Sequence, residues 1–504
     1  MRVFTYQSVL TSLLVLGNAS AVRAEAHGDY AACKAFPGTA GWPSEESWSK
    51  FNTTLRGKLI KPGPPPGAVC HPGEPTFNSD QCAIVTAAWG TYDFHQASPV
   101  SNMWQQFNND TCLVGPNTPC SGAGYPAYVV NATTAVDVKL SLEFARKHNV
   151  RVVVKSSGHD FQGRSQAPGA LSIWVHHMQS YKTHDNAFRP VGCNFTIDTP
   201  TVTVGGGAQL GPVYEKLDKI NRVIVGGNSK TVSVGGYLTA GGHSVLSPRW
   251  GLGADHVLEL EVVTPMGDIV IANECQNEDL FWAMRGIMDT QNISDMQAIW
   301  TPILDQINAT WPATISFVSF SPYPSFQSWF SLNYDQGAAG YNQYVGSRLL
   351  DEKAFSISSS DLGKAFMAAK SSAYLVAGKG VRNAKPRGGS ISAAPTWRKA
   401  VVHSTNGHIF SPLNPAARAE AIAIVDNITE PLRQIAPDMG AYVNENNPYE
   451  RDWQHTFWGE NYERLLKIKR EYDPHDVLWC APCVGNERWE QIDYRLCRVD
   501  KTVS

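Results

Sequence analysis

Sixteen residues constrain this chain more than any others: VRVVVKSSGHDFQGRS, Val150 to Ser165. A run of valines is stiff at χ1 and suits a buried pleated strand. It stops on a loop of small residues with one histidine, His159, in its middle. Such a turn exposes several backbone N–H groups in one concavity, which suits a diphosphate. The stretch is not the dinucleotide glycine fingerprint, because that pattern opens a helix and this one does not. Taken alone, a structural tight turn explains it equally well.

A second cluster shifts the balance. TVSVGGYLTAGGHSVLSPRWGLGADHVLELEVVTPMGD, Thr231 to Asp268, contains two paired-glycine turns, then an Arg-Trp-Gly segment and a hairpin pattern turning at Pro265-Met266-Gly267-Asp268. Glycines usually mark turns and bulges. Two separate loops where backbone must approach something large point to a long ligand with phosphates in its middle.

Around these loops the pattern is α+β. Strands are expected at 125–130, 150–155, 171–175, 195–207 and 222–227, and in the 256–272 hairpin. Helices are expected at 133–149, with a threonine cap, at 210–220 and at 279–286. The first three of these elements form a β-α-β unit. Residues 287–435 read as a second α+β domain, with helices at 293–307, 359–370 and 417–435 and strands at 314–320 and 396–404. Residues 25–124 are dense in proline, glycine and cysteine, and read as an irregular, disulfide-tied extension. At 504 residues, two domains are expected.

The first 24 residues read as a secretory signal: Arg2, an apolar run from Val9 to Leu16, and small residues before cleavage near Ala21 or Ala24. Ten cysteines favour disulfides in an oxidising lumen. Sequons at Asn52, Asn109, Asn131, Asn194, Asn292, Asn308 and Asn427 agree with a secreted or lumenal glycoprotein. Cys480 and Cys483 are expected to form a structural disulfide rather than a redox or zinc motif. A net charge of −3 predicts neither a nucleic-acid nor a membrane-surface footprint. No later segment is long and apolar enough for a membrane helix.

The ordered motifs SSGHDFQGRS, VGGGAQLGPVY, TVSVGGYLTAGGHS, WGLGADHVLELEVVTPMGD and NEDLFWAMRG, with YVNENNPYERDWQHTFWGENYERLLKIKREYDPHDVLWC downstream, carry a resemblance. Together they resemble FAD-linked oxidoreductases of the vanillyl-alcohol-oxidase type, specifically the berberine-bridge-enzyme-like group. The likeness runs from about 125 to 490, and the terminal segment is most similar to fungal members. It implies a two-domain PCMH-type FAD-binding fold of α+β class. The FAD-binding domain would span 125–286, a shortened substrate domain 287–435, and a segment returning to the FAD domain 436–504.

The resemblance also implies roles. Ser157, Gly158, Asp160, Gly163, Arg164 and Ser165 would surround the FAD pyrophosphate, and His159 would bond the flavin 8α-methyl. Ser229 stands where some relatives add a cysteinyl bond, so a single histidyl link is expected. Gly235, Gly236, Thr239, Gly241 and Gly242 would contact the diphosphate and ribityl chain. Tyr442 and Asn444 would approach the flavin, Asn444 as a cofactor contact and Tyr442 as a catalytic residue, and Glu445 occupies the position of an ionisable base. His403 reads as a packed core histidine or as a pocket-lining one. No metal is implied.

The implied activity is an FAD oxidase acting on a small secondary metabolite with molecular oxygen. Alkaloid oxidation or ring closure, such as the chanoclavine-forming step of ergot-alkaloid synthesis, is one candidate; oligosaccharide oxidation is the rival. The chain departs from the group after Gly286, where a glycine-rich turn and a strand normally follow. That gap keeps open a third reading, an inactive flavin-free glycoprotein.

Overall fold

The computed structural model describes residues 33–284 and 322–499, together with Ala309. The stretches read as a leader at 1–24, a helix at 293–307 and a strand at 314–320 lie outside the described residues, as does the junction after Gly286.

A four-stranded sheet sits beneath the histidine loop. Its order is β1 (Leu59–Ile60), β2 (Tyr128–Asn131), β4 (Leu171–Trp174), β3 (Val152–Lys155). β1 is antiparallel to β2, while β2 and β3 both run parallel to β4. The expected β-α-β unit is present, with β4 inserted between its two strands. Its helix α4 (Ala135–Lys147) begins on a capping box, Thr134 with Asp137. Leu142 and Ala145 of that helix pack with Val130, Val152, Leu171 and Ile173.

The 25–124 region departs from the expectation of irregular chain. It holds three helices: α1 (Glu45–Thr54), α2 (Ser79–Ala88) and α3 (Tyr92–Ala97). Each starts on a side-chain cap, from Ser44, Asn78 and Thr91 respectively. Trp48 and Phe51 of α1 and its C-cap Leu55 lie three and four residues apart and bury into the same core as the sheet. The proline and cysteine density of the intervening loops masked those short periodic runs. The region is disulfide-tied as expected, by Cys70–Cys82 and Cys112–Cys120, and Cys33–Cys497 joins it to the far end of the chain.

Two further strand expectations need correction. Residues 222–227 form no strand: Gly226 packs so closely on Tyr214 that an added Cβ would lie 2.2 Å from the hydroxyl. Of 195–207, only β6 (Thr201–Val204) is a strand, paired with β5 (Tyr181–His184). The 256–272 hairpin forms as read, with β7 (Glu259–Val263) antiparallel to β8 (Ile269–Asn273). Gly267 adopts φ 94° in its turn.

The second unit is an antiparallel sheet ordered β10 (Ser372–Leu375), β11 (Ala400–Phe410), β9 (Asn342–Asp351). The helix Pro415–Ile435 packs across it, with Leu432 in a core shared with Leu349, Leu350 and Trp397. His403 sits on β11, between Leu349 and Tyr374 of the flanking strands. All ten cysteines are paired, including Cys480 with Cys483.

Candidate active site

β3 ends at Lys155, whose fully buried ammonium donates to the carbonyls of His95 (3.2 Å) and Ser98 (2.6 Å). Burial lowers its pKa to about 7. These bonds tie the start of the glycine loop to the end of α3. Gly158 follows at φ 88° and Gly163 at φ 75°, where a Cβ would sit 2.4 Å from the Phe107 ring. Only glycine tolerates that approach.

His159 lies between the two glycine-rich loops. Its Nε2 is 2.7 Å from Thr231 Oγ1, and its ring meets Tyr92 of α3 edge-on, with centroids 4.5 Å apart. Burial pushes its pKa down to about 3, so the ring is neutral at physiological pH. Ser229, two residues before Thr231, keeps a buried hydroxyl without a partner.

The expected loop cation is not free. Arg164 forms a bidentate ion pair with Asp160, and its Nη2 donates to Asn444 Oδ1 at 2.9 Å. Asn444 Nδ2 donates in turn to the Gly236 carbonyl (3.2 Å) and the Tyr442 hydroxyl (2.8 Å). One asparagine thus joins the first loop, the second loop and the returning C-terminal segment. Gly235 and Gly236 lie in a short helix, α5 (Val234–Leu238), and Thr239 closes it by donating to the Gly235 carbonyl at 3.0 Å. Gly241 and Gly242 follow at φ 111° and 72°. Ser157 and Ser165 are buried in the first loop.

The next residue in each of two motifs completes a cluster. Glu445 accepts from His403 Nε2 at 2.9 Å and lies 3.1 Å from His243 Nε2. His403 is fully buried, whereas the His243 side chain is 17% and the Glu445 side chain 31% exposed. Burial opposes ionisation of Glu445, but the two imidazoles outweigh it and hold its carboxyl well below the usual carboxylate range. Burial also opposes charge on His243, yet the adjacent carboxylate raises its pKa. Burial wins at His403 and lowers its pKa. Burial, reinforced by the Glu445 charge, pushes the Tyr442 phenol well above its usual pKa.

Sequence reasoning missed His243. It follows Gly241 and Gly242 directly in TAGGHS, and the glycines drew the reading; a histidine at the mouth of a glycine turn was the available signal. His403 is both things weighed for it, a core residue and a contact of Glu445.

The residues present fit a flavin dinucleotide. Ser156, Ser229 and Ser233 carry buried, unpartnered hydroxyls on the two loops. A Cβ on Gly206 or Gly236 would meet nothing within 4 Å, which leaves that side of the glycine-rich turns open. An open face at Gly206 and Gly236, unpartnered serine hydroxyls and a neutral imidazole together suit a flavin dinucleotide.

Comparison with known proteins agrees. The FAD binding domain model matches residues 126–273, both glycine loops included, and the "berberine and berberine like" model matches 441–484, including Tyr442, Asn444 and Glu445. The chain is 30% identical to the FAD-linked oxidoreductase sor8 of Hypocrea jecorina, over 95% of this chain and 96% of that one. It is 28% identical to the bifunctional decalin synthase calF of Penicillium decumbens, over 98% and 100%. Among solved structures, the VAO-type flavoprotein MtVAO713 of Myceliophthora thermophila C1 superposes with a TM-score of 0.84 at 25% identity, covering 93% of this chain and all of that one. The chain belongs to the FAD-linked oxidoreductases of the berberine-bridge-like group, and it is an FAD-dependent enzyme with a PCMH-type fold. The alignment with sor8 spans 563 positions, more than the 504 residues of the chain, so that relative carries stretches with no counterpart here.

Proposed function

We propose that the protein is a secreted oxidase that takes two electrons from a small secondary metabolite, with its flavin bonded to His159 and its substrate deprotonated by Glu445. The observation that supports this reading is the junction at Asn444, the residue before Glu445, which hydrogen-bonds to Arg164 of the first glycine loop and to Gly236 of the second. When bound, the flavin supplies the hydride acceptor and passes the electron pair to molecular oxygen.

The chain's own groups have distinct tasks. His159 is neutral, and in the tautomer whose Nε2–H donates to Thr231 Oγ1 its Nδ1 keeps a lone pair for bonding. Glu445 stays anionic across the physiological range and offers its exposed edge to a substrate proton. His403 fixes the carboxylate from below, and His243 shares the charge. Tyr442 stays a phenol, so it serves as a donor rather than as a base. The leader at 1–24 and the five disulfides support secretion, and the described residues hold no helix that could cross a membrane.

Alkaloid oxidation or oxidative ring closure is the concrete candidate for the substrate step, and the likeness to a decalin synthase supports chemistry on a small metabolite. A second reading is oligosaccharide oxidation. Tyr374, half exposed beside His243 and His403, could stack on a sugar face, and solved carbohydrate oxidases share the fold at TM-scores of 0.51 to 0.57. Oxygen consumption over a substrate panel separates the two. Turnover of alkaloid precursors supports the first reading; turnover of cello- or malto-oligosaccharides overturns it in favour of the second.

A further inference from the structure

At the opposite end of β3 from His159 lies a cavity of about 390 Å³, walled by Lys34, Arg146, His475, Val477, Trp489 and Arg498, with Asn149 at its edge. No carboxylate lines it. Val150, two residues before that strand, is bridged to Ala35, which places Lys34 there. β3 lies between them, so the cavity and the first flavin loop sit at opposite ends of that strand.

Lys34 raises the question. The residue is only 6% exposed, yet among the described residues its ammonium makes no hydrogen bond and no ion pair. Its neighbour is the indole face of Trp489, 4.8 Å away, and Arg498 sits 4.9 Å from the same ring centroid. A cation–π contact offsets only part of the cost of burying an ammonium. Burial accordingly lowers the Lys34 pKa to about 8.

The nearby carboxylates are committed elsewhere. Asp473 takes Lys469 and the backbone N–H groups of Val477 and Leu478. Asp476 takes Arg470, Arg488 and the Trp489 indole N–H. Arg146 has a single carbonyl partner, Met266, and Arg498 has only the indole. Among the described residues, three cations from three segments therefore surround one cavity with no ion-pair partner, although the charges of Asp473 and Asp476 reach Lys34. The Cys33–Cys497 disulfide, adjacent to both Lys34 and Arg498, holds two of those segments together.

We propose that this cavity binds a small multivalent oxyanion, a phosphate ester or a polycarboxylate, with the Lys34 ammonium at its floor and Arg146 and Arg498 at its rim. The volume exceeds one inorganic ion and falls in the range of small-ligand sites. Charge-assisted bonds from a partly buried ammonium and two guanidiniums give such a ligand both affinity and orientation.

Calorimetric titration of the holoenzyme with pyrophosphate and with citrate, at pH 6.5 and ionic strength fixed with sodium chloride, tests this. Saturable binding by at least one probe is expected, with Tm raised by about 2 °C or more at a hundredfold excess over Kd. K34M should weaken binding at least tenfold, as should R498Q at the exposed rim, and K50M on a distant surface should leave it unchanged. Preference for pyrophosphate assigns a phosphate ligand, and preference for citrate a carboxylate. Absence of saturable binding in the wild type, or equal affinity in K34M and R498Q, overturns the proposal.

Discussion

Glu445 concentrates the chemistry at the scale of single residues. Its carboxyl is held down by His243 and His403, so its ionisation contributes stability that is present above the unfolded carboxylate pKa and lost as pH falls through the lower folded value. His243 runs the other way. Its raised pKa contributes stability that is fully present below the unfolded imidazole pKa and lost as pH rises through the folded value. The two overlap fully between about pH 4.5 and 6.5. Thermal denaturation of wild type and E445Q should therefore differ most in that window, the difference shrinking as pH rises through the folded His243 value and as it falls through the folded Glu445 value. In turnover, E445Q should lower kcat by about 10² to 10⁴ while flavin content stays unchanged; a variant with full kcat would remove Glu445 from the proton transfer. His159 was legible because it breaks a small-residue loop. His243 was not, because the sequence places it about two hundred positions from the carboxylate it touches.

Individual elements were legible where one period ran uninterrupted. α4, the β7–β8 hairpin and the helix Pro415–Ile435 follow from spacing and caps. α1 was hidden among prolines, although its Trp48 and Phe51 enter the core beside β2. The run at 222–227 has strand composition, but Val223 and Ile224 pack in the cluster with Tyr214 and Val234 instead of joining a ladder. Two predictions belong here. T134A removes the α4 cap and should lower unfolding free energy by about 1 kcal/mol in urea titration, with activity retained. G163A forces a side chain into positive φ and against Phe107, which should cost about 1–3 kcal/mol and reduce the flavin content of purified protein. Unchanged flavin content in a folded G163A protein would detach that turn from cofactor binding.

The whole molecule depends on contacts between distant parts of the chain, which spacing alone cannot reveal. Cys33–Cys497 spans a sequence separation of 464, and the even cysteine count implied bridges without saying which. Serine at both positions should cost about 2–5 kcal/mol, read as a lower Tm under non-reducing conditions. The return of the C-terminal segment onto the glycine loops came from motif order rather than from any local pattern, and Asn444 is the residue through which it acts. Both arrangements serve one claim, that two glycine-rich turns hold a flavin against a neutral imidazole. Tryptic cleavage after Lys155 and Arg164 releases Ser156–Arg164 as a single peptide carrying His159. Mass spectrometry of that peptide from the purified holoprotein should find the mass of FAD added to the histidine; the unmodified mass, in protein that folds and carries its disulfides, would contradict the tether.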